Sequence, residues 1–169
     1  VLTLSFCVAI PQMCMPVLFN EISADLGLSL VQIGWIWGFY PMSGLFIAFI
    51  AGLLADRFGA KRILIFACSM AGLAGASRGL ANDFLGLLFT TFLFGLFAGF
   101  MPSNTFKVAA TWFPAHQRGL TSGILIAGMG AGFTISSMFS ATLLSPLLGG
   151  WRFVLFLYGA ISIFIAFLW

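Results

Sequence analysis

The sequence predicts an all-α polytopic membrane protein of six transmembrane helices, and three observations predict it. Of its 169 residues, 62% are hydrophobic and only 7% charged, and the mean hydropathy is +1.14. A soluble domain of this length cannot hide so much apolar surface. Polar punctuation divides the chain into six apolar segments, 1–19, 31–54, 63–81, 84–111, 120–144 and 153–169, near the roughly 20 residues that cross a ~30 Å hydrocarbon layer. The segments are long and not strictly alternating, and an open sheet cannot satisfy its backbone in lipid, so helix is preferred over strand.

The first segment starts without methionine or a basic flank, and it is too long and too rich in Pro and Met for a signal-peptide core. It reads as a first span lacking its leading residues, and the chain is expected to be a fragment. Pro11, Pro16, Pro41 and Pro102 are expected to interrupt the first, second and fourth spans. The third span carries Arg78 close to Asp83, which reads as an outer-surface cation. In the fifth, Gly128-x-x-x-Gly132 has the spacing that lets membrane helices pack closely. Cys7, Cys14 and Cys68 all lie in apolar stretches and read as small buried groups rather than as disulfide partners.

Charge sets the orientation. Arg57, Lys61, Arg62 and Arg118 fall on one side with Lys107 close to it, whereas Glu21, Asp25 and Asp83 fall on the other with Arg78 and Arg152. The positive-inside rule makes the first side cytoplasmic. A net charge of +3 and a pI near 9.1 therefore reflect span ends, and no nucleic-acid surface is implied.

The tightest motif is Gly52-Leu53-Leu54-Ala55-Asp56-Arg57-Phe58-Gly59-Ala60-Lys61-Arg62, four ionised side chains in a glycine turn between two apolar runs. Gly52 is expected where a neighbouring helix approaches closely, and Gly59 to take a positive φ. Asp56 can face the positive end of another helix or pair with a basic side chain. The pattern resembles the loop between the second and third spans of the major facilitator superfamily of secondary transporters, departing only at Ala60, often basic there. A second likeness, Trp112-Phe113-Pro114-Ala115-His116-Gln117-Arg118-Gly119 with Gly123, Gly128 and Gly132, is similar to the fourth-to-fifth-span loop of the anion:cation symporters and nitrate or cyanate carriers of that family. Gly149-Gly150-Trp151-Arg152 extends the resemblance over most of the chain.

The resemblance implies two three-span units in inverted topology. Ala51, Leu53, Leu54, Gly59 and Arg62 match Ala141, Leu143, Leu144, Gly149 and Arg152 at a constant offset of ninety residues, on opposite membrane faces. It also implies that the signature residues Gly52, Asp56, Arg57, Gly59, Lys61 and Arg62 belong to a cytoplasmic gate, with Asp56 acting across the boundary between two six-span halves. Two family features are missing: Thr91 stands where many members carry an arginine, and 119–144 lacks the Gly-Pro pair of drug antiporters.

A binding site near the midplane has the candidates Gln12, Tyr40, Ser43, Thr91, Thr134 and Ser137 by counting from the span ends. Each can instead bond to its own backbone or a neighbouring helix. Lys107 can attract an anion or snorkel to headgroups. One histidine and four dispersed carboxylates form no triad, metal cluster or phosphate loop, so neither an enzyme nor a cofactor is expected. Cys7, Met13, Cys14 and Met15 offer soft copper ligands in principle, but such groups in a span serve packing, and no metal site is assigned.

The chain is thus expected to be, over residues 1–169, the amino-terminal six-span domain of a facilitator-type transporter in the plasma (inner) membrane, its carboxy-terminal half lying outside this sequence. Such a protein moves a small polar or anionic solute by alternating access, as a symporter coupled to a proton or cation. The alternatives are a solute sensor or assembly subunit of the same fold, and a half-size homodimeric transporter. The topology is open to cysteine labelling of intact cells: a cysteine at Ala60 should react only from within and one at Ser23 only from outside, and the reverse pattern overturns it.

Overall fold

The computed structural model describes residues 2–169, with side chains from Val8 onward. The helices are α1 (Leu2–Leu26), α2 (Leu30–Phe58), α3 (Ala60–Ser77), α4 (Phe84–Ala98), α5 (Met101–Trp112), α6 (Arg118–Phe139), α7 (Ser145–Leu148) and α8 (Trp151–Leu168). Short 3₁₀ turns cover Arg78–Leu80 and Ala115–Gln117, and a π turn covers Ser140–Leu144. α4 and α5 run as one span, as do α6 and α7, so the expected six spans are α1, α2, α3, α4/α5, α6/α7 and α8. Those from α2 onward are each long and apolar enough to cross a membrane.

Helices outlast the apolar runs that predicted them. α1 continues past Glu21 and Asp25, and α2 past Asp56 and Arg57, so the expected charged loop shrinks to Gly59 alone. Ending a helix orphans its last carbonyls, and both helices stop only where a glycine accepts a positive φ, at Gly27 (62°) and Gly59 (88°).

The prolines also behave differently from expectation. Pro11 and Pro16 lie inside a continuous α1 and Pro41 inside a continuous α2, because losing one intrahelical bond is cheaper than exposing more backbone to lipid. Pro102 does mark a break, in the first turn of α5 where its missing N–H costs nothing. Pro146 follows the π turn, where the Thr142 carbonyl faces a residue without an N–H.

Helix partners repeat with a shift of three spans. α1 packs on α6 as α2 packs on α4, α3 packs on α4 as α8 packs on α1, and α3 and α8 pack on each other. That pattern is the inverted repeat expressed in contacts. The second span of each unit ends on a positive-φ glycine, Gly59 at 88° and Gly149 at 85°, the pair that the ninety-residue offset equates.

Glycines bring the backbones together at the crossings. A Cβ on Gly159 of α8 would lie 2.7 Å from the Gly72 carbonyl of α3, and one on Gly99 would lie 2.8 Å from the Gly44 Cα of α2. On Gly95 a Cβ would overlap the Ser43 hydroxyl and the Tyr40 carbonyl. Gly52, expected at such a contact, instead has open space among the described residues, because α2 meets α4 about two and three turns nearer the middle of the span, at Gly44 and Tyr40. Gly132 is buried on α6, the helix that packs on α1.

Buried hydroxyls stitch the units. Ser136 donates to the Ile10 carbonyl at 2.8 Å, and Ser140 lies 3.3 Å from Ser136 and 3.0 Å from the Tyr158 hydroxyl, joining α1, the π turn and α8. Cys14 and Cys68 are buried and donate to the Pro11 and Ser162 carbonyls at 3.2 and 3.5 Å; the Cys7 side chain lies outside the described residues. On the face away from the basic hairpin, Arg152 of α8 pairs with Asp25 of α1 at 3.2 Å. Its Nη2 also donates to the Ala81 carbonyl and the Asn82 side chain at 3.3 Å. Gly95→Ala should therefore force α2 and α4 apart and destabilise the protein by about 1–3 kcal/mol, whereas Gly34→Ala, with open space at its Cβ, should leave thermal unfolding in detergent unchanged.

Candidate functional site

Two sites emerge, an ion pair at the basic face and a cavity at mid-span. In the hairpin, Asp56 and Arg57 occupy the last turn of α2 and Lys61 and Arg62 the first turn of α3. Both placements oppose the helix dipoles, which favour cations at C-termini and anions at N-termini, except for Arg57. Asp56 is relieved by an ion pair with Lys107 of α5. One turn earlier, Asn104 is fully buried and its Nδ2 donates to the Phe100 carbonyl at 2.8 Å and the Ala51 carbonyl at 3.4 Å. α5 is thus pinned to α2 at two successive levels. The basic partner of Asp56 therefore lies within this six-span unit, and Lys107 is paired rather than snorkelling alone. Arg57 lies over the Phe58 ring at 5.4 Å, and Lys61 lies over Trp169 at 5.2 Å.

The cavity opens between α1, α2, the α4/α5 span and α6, with Gln12, Tyr40, Met101, Pro102, Thr105 and Met129 in its wall. Tyr40 is held by stacking on Trp37 and by Phe94 of α4, each with ring centroids 5.7 Å away. Thr105 is buried and its hydroxyl has no partner among the described residues. The cavity has a volume of about 40 Å³, room for only a few waters, and its wall is mostly apolar with a few convergent polar groups, the lining that small-molecule sites commonly have, so a sugar acid needs it widened.

The candidates read from sequence divide between wall and packing. Gln12 and Tyr40 stand in the wall. Ser43 is fully buried at the α2–α4 crossing and donates to the Tyr40 carbonyl at 2.7 Å. Thr91 is buried on α4 outside the cavity lining, its hydroxyl without a partner among the described residues. Thr134 donates to the Gly130 carbonyl at 2.9 Å on an exposed face of α6, and Ser137 is exposed nearby.

Two residues escaped the sequence reading and a third was misplaced. Thr105 and Asn104 carry the same signal as the others, a polar side chain inside an apolar run, in a stretch where Pro102 and Lys107 drew attention instead. Arg78 was placed at the outer surface, and this is corrected: it is 1% exposed. Its side chain turns inward under the 3₁₀ turn, with its Cζ 3.7 Å from the Phe94 ring centroid and Nη1 donating to the Pro11 carbonyl at 3.3 Å. Removing Arg78 from the loop charges sharpens the asymmetry between the two faces.

A helical membrane bundle built on an inverted repeat, with a sparsely polar cavity between the first, second, fourth and fifth spans, is an architecture found among secondary transporters. The chain belongs to the major facilitator superfamily, whose family model matches residues 1–169. It is 34% identical over 167 residues, 90% of this chain and 37% of the relative, to a probable nitrate/nitrite antiporter of Thermus thermophilus. It is 29% identical over 163 residues, 89% of this chain and 34% of the relative, to a probable galactarate/D-glucarate transporter of Escherichia coli. A hexuronate transporter of Bacillus subtilis is 33% identical over 115 residues, 68% of this chain and 27% of the relative. The chain thus spans about a third of the length of the relatives it matches. This family and these relatives are transporters, not enzymes, and the chain is an integral membrane protein.

Asp83 supplies a control for Asp56, since it caps α4 by accepting from the Gly86 N–H at 3.1 Å and asparagine caps equally well. In the complete transporter Asp56→Asn should lower the transport rate per inserted molecule more than Asp83→Asn, and Asp56→Lys with Lys107→Asp should recover part of what either change alone loses. Folding stability should move by less than about 1 kcal/mol, because the paired side chains are 64% and 37% exposed.

Proposed function

We propose that residues 1–169 form the amino-terminal half of a secondary transporter of the plasma membrane that carries a small anionic solute by alternating access, coupled to an ion gradient. The observation that carries this reading is the mid-span cavity. It lies where an inverted repeat places its binding site, in a chain whose relatives are named for nitrate and sugar diacids or uronates, all anions at neutral pH. Gln12, Tyr40 and Thr105 are the polar contacts offered to the solute. The remaining wall is completed by a second six-span half.

The Asp56–Lys107 pair is the latch of this half at the cytoplasmic end. It holds α2 against α5 in one arrangement, and a signature hairpin whose charges oppose the helix dipoles is easily re-paired when the halves tilt. Symport and antiport differ in what drives uptake, a proton or cation gradient in one case and a counter-anion in the other.

Proteoliposomes holding the complete protein test this directly. Labelled nitrate, D-glucarate or D-galacturonate should accumulate above its external concentration under an imposed proton gradient or against internal nitrite, and D-glucose should not. Saturable binding of these anions without accumulation would identify a sensor and overturn the transport reading.

A further inference from the structure

We propose that Arg78 is the fixed positive charge that makes the mid-span cavity select an anion; this rests on the anion-transport reading above. Arg78 is the largest fully buried side chain among the described residues. Its guanidinium has one carbonyl partner, Pro11, and one aromatic face, Phe94, while Nε and Nη2 have no hydrogen-bond partner among the described residues. Phe94 lies ten residues into α4, roughly 15 Å of helix rise from its outer end, so the charge is drawn toward the bilayer interior instead of snorkelling outward.

A buried cation is costly unless it is paired with a carboxylate or well supplied with backbone carbonyls; Arg78 has one carbonyl, and the chain's own carboxylates are engaged elsewhere. There are four acidic residues. Glu21 accepts from Ser145, Asp25 pairs with Arg152, Asp56 pairs with Lys107, and Asp83 caps α4. Neither the Pro11 carbonyl nor the Phe94 ring carries a full negative charge, although the ring face does attract the guanidinium.

The charge is linked to the cavity wall through one residue on each side. Pro11 precedes Gln12, and Phe94 packs on Tyr40; Gln12 and Tyr40 both line the cavity. In a low-dielectric interior a positive charge one residue removed from the wall favours an anion over a neutral solute of the same size. Lys107, the other cation near the span interior, is already neutralised by Asp56. Arg78 acts through the wall residues and is thus a positioning charge, supplying selectivity while Gln12, Tyr40 and Thr105 supply contact.

The test is equilibrium binding to the purified complete protein, with nitrate, D-glucarate and D-galacturonate as anionic probes and D-glucose as the neutral one, normalised to folded protein. Arg78→Gln should weaken the preferred anion at least about tenfold, and Arg78→Lys should keep most of the affinity. Cys14 lies outside the cavity lining and shares the Pro11 carbonyl with Arg78, so Cys14→Asp keeps the arginine but supplies a counter-charge near it, and should lose more anion affinity than Cys14→Asn. If Arg78→Gln fails to fold, the Cys14 pair decides. Anion binding unchanged in both Arg78→Gln and Cys14→Asp overturns the proposal, as does a folded Arg78→Lys no better than Arg78→Gln. A wild-type protein that binds none of the three anions overturns the anion reading itself.

Discussion

Close approach of helix backbones at glycine is the constraint on which the rest of this bundle depends. Lipid offers no hydrophobic driving force between helices, so association rests on van der Waals contact and a few hydrogen bonds. The crossings at Gly72 and Gly159, at Gly95 with Tyr40, and at Gly99 with Gly44 provide that contact. The first joins the third spans of the two units, α3 and α8. The others join α2 to α4 and fix Tyr40, so the cavity wall takes its position from a packing contact behind it.

Around this frame the ionic groups are sorted by depth. Pairs at the membrane faces, Asp56 with Lys107 and Asp25 with Arg152, tie the end of one span to another. Each lies on a different face, as the inverted repeat requires. Between them the buried polar links are the neutral Ser136–Ser140–Tyr158 hydroxyls and Asn104, with Arg78 the one buried charge among the described residues. Surface pairs of this kind contribute little to stability, which leaves them free to change partners.

The fold was legible in the sequence because a bilayer admits so few solutions. Six apolar runs, a basic hairpin and a ninety-residue echo from Gly59 to Gly149 were enough to state six spans and an inverted repeat. Helix ends were misread because charge was taken as the end of helix, when Asp25 and Asp56 simply continue it to the next permissive glycine. The site was legible in part. Gln12 and Tyr40 reach the cavity wall, but depth along a span does not say which way a side chain turns, so Ser43 and Thr134, at the right depth, serve their own helices. Arg78 was misplaced for a related reason: an arginine near a span end ordinarily reaches outward to water, and only the neighbouring Pro11 carbonyl and Phe94 ring show that it reaches inward.

The junction at Gly59 has a mechanical meaning. A single residue separates α2 from α3, and its φ of 88° and ψ of 133° lie in a region open almost only to glycine. A connection that short has no slack, so α2 cannot slide along its axis without dragging α3, and α3 is locked to α8 at the Gly72–Gly159 crossing. Tension applied to the Gly59 end of α2 is therefore delivered across the whole unit, which makes this edge of the bundle a stiff lever rather than a flexible strap.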